Sequence, residues 1–388
     1  MLAYNNTGLD HLNIQEEAAT ACRKKCITAQ EYAAVQAAYP VDFYTPNPFI
    51  RIGLFILTLV ILFASLGLFA LMLLDALKDV VAALLIFAGL VTYGILEYFV
   101  QTKKHYQSGV DDALLWVSAI LILCGINAMA DFDISVWGQC ILVFLLSLYA
   151  ALRFADTLMS IVAFLALLGI VFERATVLGD LAKMVLPFLL LAISLGVYLL
   201  MKRSEKISAF RHYKRCCLLV QIVCLVTLYI SGNYFAVRET SATLFGPYPE
   251  DMQGMPMGWF FWILTVAIPV IYIFLGLKRK DTILLRAGLI LVAGVVFTIR
   301  YYHSVAPLEI AMLIGGLILI GLAYGCIKYL KTPRYGLTDE NTDDPHFLDK
   351  LHLESVIIAE TYTQQAPVTD DFQFGGGSGG GGGASGTY

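Results

Sequence analysis

Ten long apolar runs, the first opening at Phe49 and the last closing near Leu330, fix the solvent in which this chain folds. A hydrocarbon core about 30 Å thick needs roughly 20 mostly apolar residues per helix, at about 1.5 Å of rise each. The runs at 50–74, 80–100, 113–130, 136–152, 157–173, 181–201, 216–235, 259–277, 283–300 and 308–330 come close to or meet that length. Only 14% of residues are charged and 59% are hydrophobic, against roughly 25% charged in ordinary soluble domains. A globular surface cannot hide that much apolar area, so lipid must be the solvent and the bilayer the principal partner. The fold class expected is an all-α integral membrane protein of about ten transmembrane helices.

The fourth and fifth runs are short, and 135–172 can also be read as one tilted or broken segment. Orientation favours two spans. With ten spans and both termini cytoplasmic, all 26 lysines and arginines except Lys78, Arg174, Lys183, Arg238 and Arg300 fall on the cytoplasmic side. That is the positive-inside asymmetry. Merging the two runs would move the cluster Lys202, Arg203, Lys206, Arg211, Lys214 and Arg215 to the outside.

The expected domains are a cytoplasmic hairpin and connector (1–48), the bundle (49–330) and a cytoplasmic tail (331–388). Asn13 with Glu16, and Thr28 with Glu31, match capping boxes, predicting helices over 12–25 and 28–38. Pro40, Pro46 and Pro48 then make a stiff extended connector. A hairpin this small buries little surface, so it must lean on the membrane face or on a protein partner. The polar first 48 residues hold no signal-peptide core, so insertion relies on the first span itself. The tail is acidic over 338–345 and ends in a largely disordered glycine-rich stretch; it is a second expected contact site for proteins. A net charge of −4 without a basic face argues against nucleic acid. Of eight cysteines, Cys124, Cys140, Cys216, Cys217, Cys224 and Cys326 fall in or beside spans, where a thiol acts as a small hydrophobe. Cys22 and Cys26 have no second Cys or His pair nearby, so no metal and no cofactor is expected.

No charged residue falls at the centre of a run, which argues against ion-coupled transport, since coupling groups normally sit near the midplane. A facilitator built on uncharged groups such as Asn127, Gln139, Gln221 and Asn233 stays open. Pro269 sits mid-span, where it either kinks a packed helix or exposes backbone carbonyls. Gly321 and Gly325 form a small-xxx-small pair suited to close helix packing. Polar groups gather at the outer ends of several spans, and the candidate cluster is Glu173, Asn233, Arg238, Glu239, Arg300, His303 and Glu309. An Arg300–Glu309 pair beside His303 could orient an anionic substrate and supply an acid or base. Against that stands plain solvation of loop ends. The loop from Ala236 to Gly258, running into Trp259, Phe260, Phe261 and Trp262, reads either as an interfacial aromatic belt or as a lid. No nucleophile elbow, zinc-protease helix motif, phosphate loop or paired Cys motif is present, so no catalytic residue is assigned. The expected function is a non-enzymatic transporter-like, ligand-binding or scaffold protein; the alternative is a membrane-embedded enzyme working through the outer cluster.

The hairpin from Ile14 to Tyr39, with its Ile27-Thr28-Ala29-Gln30-Glu31 helix start, runs into Pro48-Phe49-Ile50-Arg51-Ile52-Gly53 and a glycine-containing first span. Over residues 10–75 this resembles a family of predicted bacterial multi-pass membrane proteins of unknown function. The resemblance implies a membrane bundle and a bacterial inner-membrane address, and no reaction. The C-terminal glycine run resembles the tails of bacterial TPM-domain membrane proteins.

Overall fold

The computed structural model describes residues 2–72, 77–245 and 257–302, with scattered helical positions between 313 and 328. The chain divides into Met1–Asp339 and Glu340–Tyr388, and the second unit lies outside the described residues. The helices are α1 (Asn6–Arg23), α2 (Ala29–Ala38), α3 (Pro48–Met72), α4 (Leu77–Gln101), α5 (Val110–Met129) and α6 (Val136–Phe154). They continue as α7 (Thr157–Thr176), α8 (Asp180–Ser204), a 3-10 turn (Ser208–Tyr213), α9 (Lys214–Gly232), α10 (Tyr234–Phe245), α11 (Gly258–Arg279) and α12 (Thr282–Tyr302). Among the described residues nine helices are long and apolar enough to cross a membrane. The protein is a helical multi-pass membrane protein.

Over its described residues each of the first nine apolar runs falls on one of these helices, except the seventh (216–235), which crosses the stop of α9 at Asn233 into α10; most of the tenth lies outside the described residues. The fourth and fifth runs are separate helices. Ala155 takes a left-handed conformation (φ 49°) and the Asp156 carboxylate accepts the Met159 N–H at 2.7 Å, ending α6 and capping α7 within two residues. The two helices then pack against each other, so 135–172 is not one continuous tilted helix.

Four antiparallel pairs carry most of the packing: α4 with α5, α6 with α7, α8 with α9, and α11 with α12. All four turn at the same end of the bundle, called here the hairpin end, and the other is the open end. α9 is central, touching α7, α8, α11 and α12, and 56% of its apolar window is buried. α3 is its opposite. It packs chiefly on α5, none of its window is buried, and Ile52, Leu57, Phe63 and Leu71 face outward. Lipid tails are as apolar as leucine, so helix pairing in a membrane depends on close packing. Glycine supplies it within the pairs. A Cβ on Gly125 would stand 2.9 Å from the Ile86 nitrogen, and one on Gly276 would stand 2.7 Å from the Leu285 nitrogen. The small-residue pair expected to do this, Gly321 and Gly325, meets no described atom within 4 Å. α11 runs continuously through the buried Pro269, whose carbonyl faces Gly288 at 3.0 Å from where a Cβ would sit.

The N-terminal hairpin differs from expectation at its start. α1 begins at Asn6, capped by the Asn5 side chain accepting the Thr7 N–H at 3.1 Å. Asn13 and Glu16 lie inside the helix, where backbone N–H groups already have their i−4 partners and a box has nothing to cap. The Thr28–Glu31 box is present as read. The hairpin leans on the hairpin end of its own bundle. Ala3 N–H donates to the Arg153 carbonyl at 2.8 Å, Tyr4 and Leu9 are buried, and Asp10 and Glu16 pair with Arg211 (2.6 Å) and Arg215 (2.7 Å). The connector pairs Tyr44 with the strip beside His105, and Lys104 holds Asp42 at 2.7 Å, keeping that carboxyl below its usual range.

Candidate functional site

The central helix stops at Asn233, and the stop organises the open end. Gly232 lets α11 approach closely, since a Cβ there would lie 2.6 Å from Ile268 Cδ1. Asn233 is extended (ψ 127°), and its Oδ1 accepts the Ala236 N–H at 3.1 Å, capping α10. Its Nδ2 donates to Tyr229 Oη and Thr298 Oγ1, both at 2.9 Å. The Tyr234 N–H, freed by the break, donates to Thr265 Oγ1 at 2.9 Å, and that hydroxyl donates to the Phe261 carbonyl. Asn233, Thr265 and Thr298 are all buried. Four helices are thus joined by one uncharged, hydrogen-bonded node, as a low-dielectric interior requires.

Aromatic and charged groups fix α10 beyond the node. Tyr234 stacks on Trp262 with ring centroids 4.9 Å apart and meets Tyr302 edge-on at 5.0 Å. Tyr302 Oη donates to Glu239 at 3.0 Å, and the Arg238 guanidinium lies 4.9 Å from the Tyr302 ring centroid. Of the candidate cluster, Arg238 and Glu239 on α10 thus meet at Tyr302, while Asn233 caps the start of that helix and makes no hydrogen bond to either among the described residues. Arg300 sits on α12 with its Nη1 buried and lacking a hydrogen-bond partner among the described residues. Glu173 lies in the last turn of α7, and among the described residues no hydrogen bond or ion pair joins it to the α10 group; its neighbour Arg174 lies over Trp137 at 3.9 Å. His303, Glu309 and the stretch 246–256 lie outside the described residues.

Beside α10 is a cleft of about 70 Å3, walled by Phe172, Lys183, Pro187, Ser231, Val237 and Thr240 among others. That is room for a few waters or one small solute. Pro187 sits inside α8 and has no N–H to offer, so the Lys183 carbonyl loses its helical donor where both residues line the cleft. Hydroxyls of Ser231, Thr240 and Ser241 complete a polar rim on an otherwise apolar wall.

The hairpin end carries charges that sequence reasoning passed over. Arg51 on α3 grips Asp112 on α5 (2.7 Å), and Asp111 accepts from the Ser108 N–H (2.8 Å) and hydroxyl. Glu97 binds Arg153 through two nitrogens at 3.0 Å and accepts from Tyr93 Oη at 2.6 Å. Burial pushes the Asp156 carboxyl up in the turn between α6 and α7, and burial holds His105, between α4 and α5, below its ordinary value. The sequence signal for this end is Asp111-Asp112 following Lys103 and Lys104, acids that mark a helix N-terminus and stand just ahead of the apolar run at 113–130. Among the described residues no group of His, Cys, Asp and Glu is placed to hold a metal. No family model matches the chain, and no curated protein or solved structure matches it.

Proposed function

We propose that this protein is a non-enzymatic, transporter-like membrane protein that binds a small polar solute in the cleft beside α10. The observation carrying this reading is the discontinuity of α9 and α10 at Asn233, next to a proline-opened turn of α8, around a space lined by uncharged hydroxyls and one lysine. Broken helices that turn backbone groups toward a cavity are how helical carriers bind solutes without free charges at the midplane. The enzyme reading has less support, because Glu239 is engaged by Tyr302 and both ends of the Asn233 amide are used within the protein.

Two measurements test the solute reading. Cys22, Cys26 and Cys124 are first replaced by serine. A small water-borne methanethiosulfonate should then modify both Thr240→Cys and the deeper Ser231→Cys, and adding Ala236→Phe should protect the latter. A panel of amino acids, sugars and organic acids should include members that raise the thermal midpoint of the wild type and not of Ala236→Phe. An unreactive Ser231→Cys together with a panel that shifts nothing would sink the proposal.

The orientation belongs to the same proposal: ten spans in a bacterial inner membrane, both termini cytoplasmic, hairpin end inside. The cationic segments at 202–215 and 278–286 support it, since both lie at the hairpin end. Reporter fusions after Ser208 and after Gly246 should land on opposite sides of the membrane, and a shared side would overturn the ten-span arrangement. The hairpin and tail are then the surfaces a cytoplasmic protein partner would meet.

A further inference from the structure

Between the α6–α7 and α8–α9 pairs, toward the hairpin end, lies a groove of about 240 Å3. Its walls are apolar side chains such as Phe144, Leu148, Leu152, Leu167 and Val197. Phe144 and Leu152 are about two turns apart on α6, so the groove runs roughly 12 Å along the helix axis. Tyr213 Oη donates to the Leu152 carbonyl, tying the 3-10 turn to α6 at the groove's hairpin end. A polar solute would find almost no hydrogen-bond partner inside.

The chain segment at the groove's hairpin end has the opposite character. Arg203, Lys206 and Lys214 lie on the segment that also gives the groove Met201, Phe210 and Tyr213. All three are exposed and take part in no ion pair among the described residues. Their neighbours differ: Lys202 is held by Asp281, Arg211 by Asp10 and Arg215 by Glu16. Glu205, the one acid in the stretch, accepts from Gln221. Three exposed cations with no ion pair among the described residues thus lie on the segment that closes the hairpin end of the apolar slot.

We propose that the groove holds one acyl chain of an anionic phospholipid from the surrounding leaflet, with the lipid phosphate met by Arg203, Lys206 and Lys214. An acyl chain gains no hydrophobic free energy on leaving one hydrocarbon phase for another. Retention must therefore come from packing in a fixed slot and from the headgroup charge, which predicts discrimination between lipids with identical tails. The inference is independent of the solute reading, because groove and cleft are lined by different residues.

The test is native mass spectrometry of the full chain after delipidation in mild detergent, titrated with phosphatidylglycerol or phosphatidylcholine of matched chains. The wild type should retain one phosphatidylglycerol about tenfold more tightly than phosphatidylcholine. Leu167→Trp, which fills the slot from α7, should lose that retained lipid, and Val197→Trp repeats the test from α8 should the first variant fail to fold. Lys206→Glu combined with Lys214→Glu should abolish the headgroup preference while weak binding of either lipid persists. Equal retention of the two lipids by the wild type, or unchanged retention in both tryptophan variants, would overturn the proposal.

Discussion

Gly109→Ala should cost about 3–5 kcal/mol of stability, more than any other single methyl group added to this protein. Two effects combine there. Gly109 has φ 91° and ψ −35°, a conformation that side chains rarely adopt. A Cβ would also lie 2.1 Å from the Arg51 carbonyl oxygen and 3.0 Å from the Phe55 nitrogen, both backbone atoms of α3 that no rotamer change can move. α3 has little else to hold it, since none of its apolar window is buried and α5 is its main neighbour. Gly179→Ala is the control. It has φ 59° and ψ −128°, yet nothing lies within 4 Å of a Cβ, so only the conformational strain remains, about 1–2 kcal/mol. Arg51→Ala should cost only about 1 kcal/mol, because the arginine is 40% exposed and its pair with Asp112 is partly screened. Thermal unfolding in one detergent reads all three. Equal losses for the two glycine variants would mean that the α3–α5 approach contributes nothing.

Gly109 also shows where sequence reading stops in this molecule. The spans were legible because lipid demands length and hydrophobicity in each segment separately, a local property. The separation of the runs around 155–156 was legible indirectly, from the side to which merging them would move the cations at 202–215. The approach of Gly109 to Arg51 depends on two residues 58 positions apart, and no periodicity marks it. The same holds for Gly125 and Gly276, which serve close packing, while the spaced glycines of the tenth run carried the recognisable motif. Capping boxes failed and succeeded for one reason: the pattern S/T/D/N-x-x-E states what could cap a helix, and only an available chain end lets it do so. Thr28 stands at such an end and Asn13 does not.

At the open end the residue types were legible and their roles were not. Asn233 was visible as a polar group at the end of a run, and Arg238 and Glu239 as charges beyond it. That Tyr302 would join the two charges, and that α10 would form as a separate helix, followed from partners on α11 and α12 that a single segment cannot show. Thr265 and Thr298, fully buried at the heart of the node, looked like neutral helix residues.

Asn233→Leu tests whether that node holds α10 in place. Leucine fits the apolar surroundings but leaves the Ala236 N–H uncapped and the Tyr229 and Thr298 hydroxyls without their amide partner, for a cost of about 2–3 kcal/mol. Thr298→Val alone should cost about 1 kcal/mol, since it leaves one amide hydrogen unmet. The double variant should then be less destabilised than the sum of the two, because removing both partners removes the unsatisfied pair as well. Hydrogen exchange separates this from general loosening. Protection should fall across 234–245 and hold across α4 and α5, which make no hydrogen bond to the node among the described residues. Exchange that rises evenly through the bundle, or strict additivity of the two substitutions, would reduce Asn233 to an ordinary buried amide. If α10 alone loosens, the cleft it walls with Val237 and Thr240 should open with it. Any solute that stabilises the wild type should then lose its effect in Asn233→Leu, tying the break in the central helix to binding at that end.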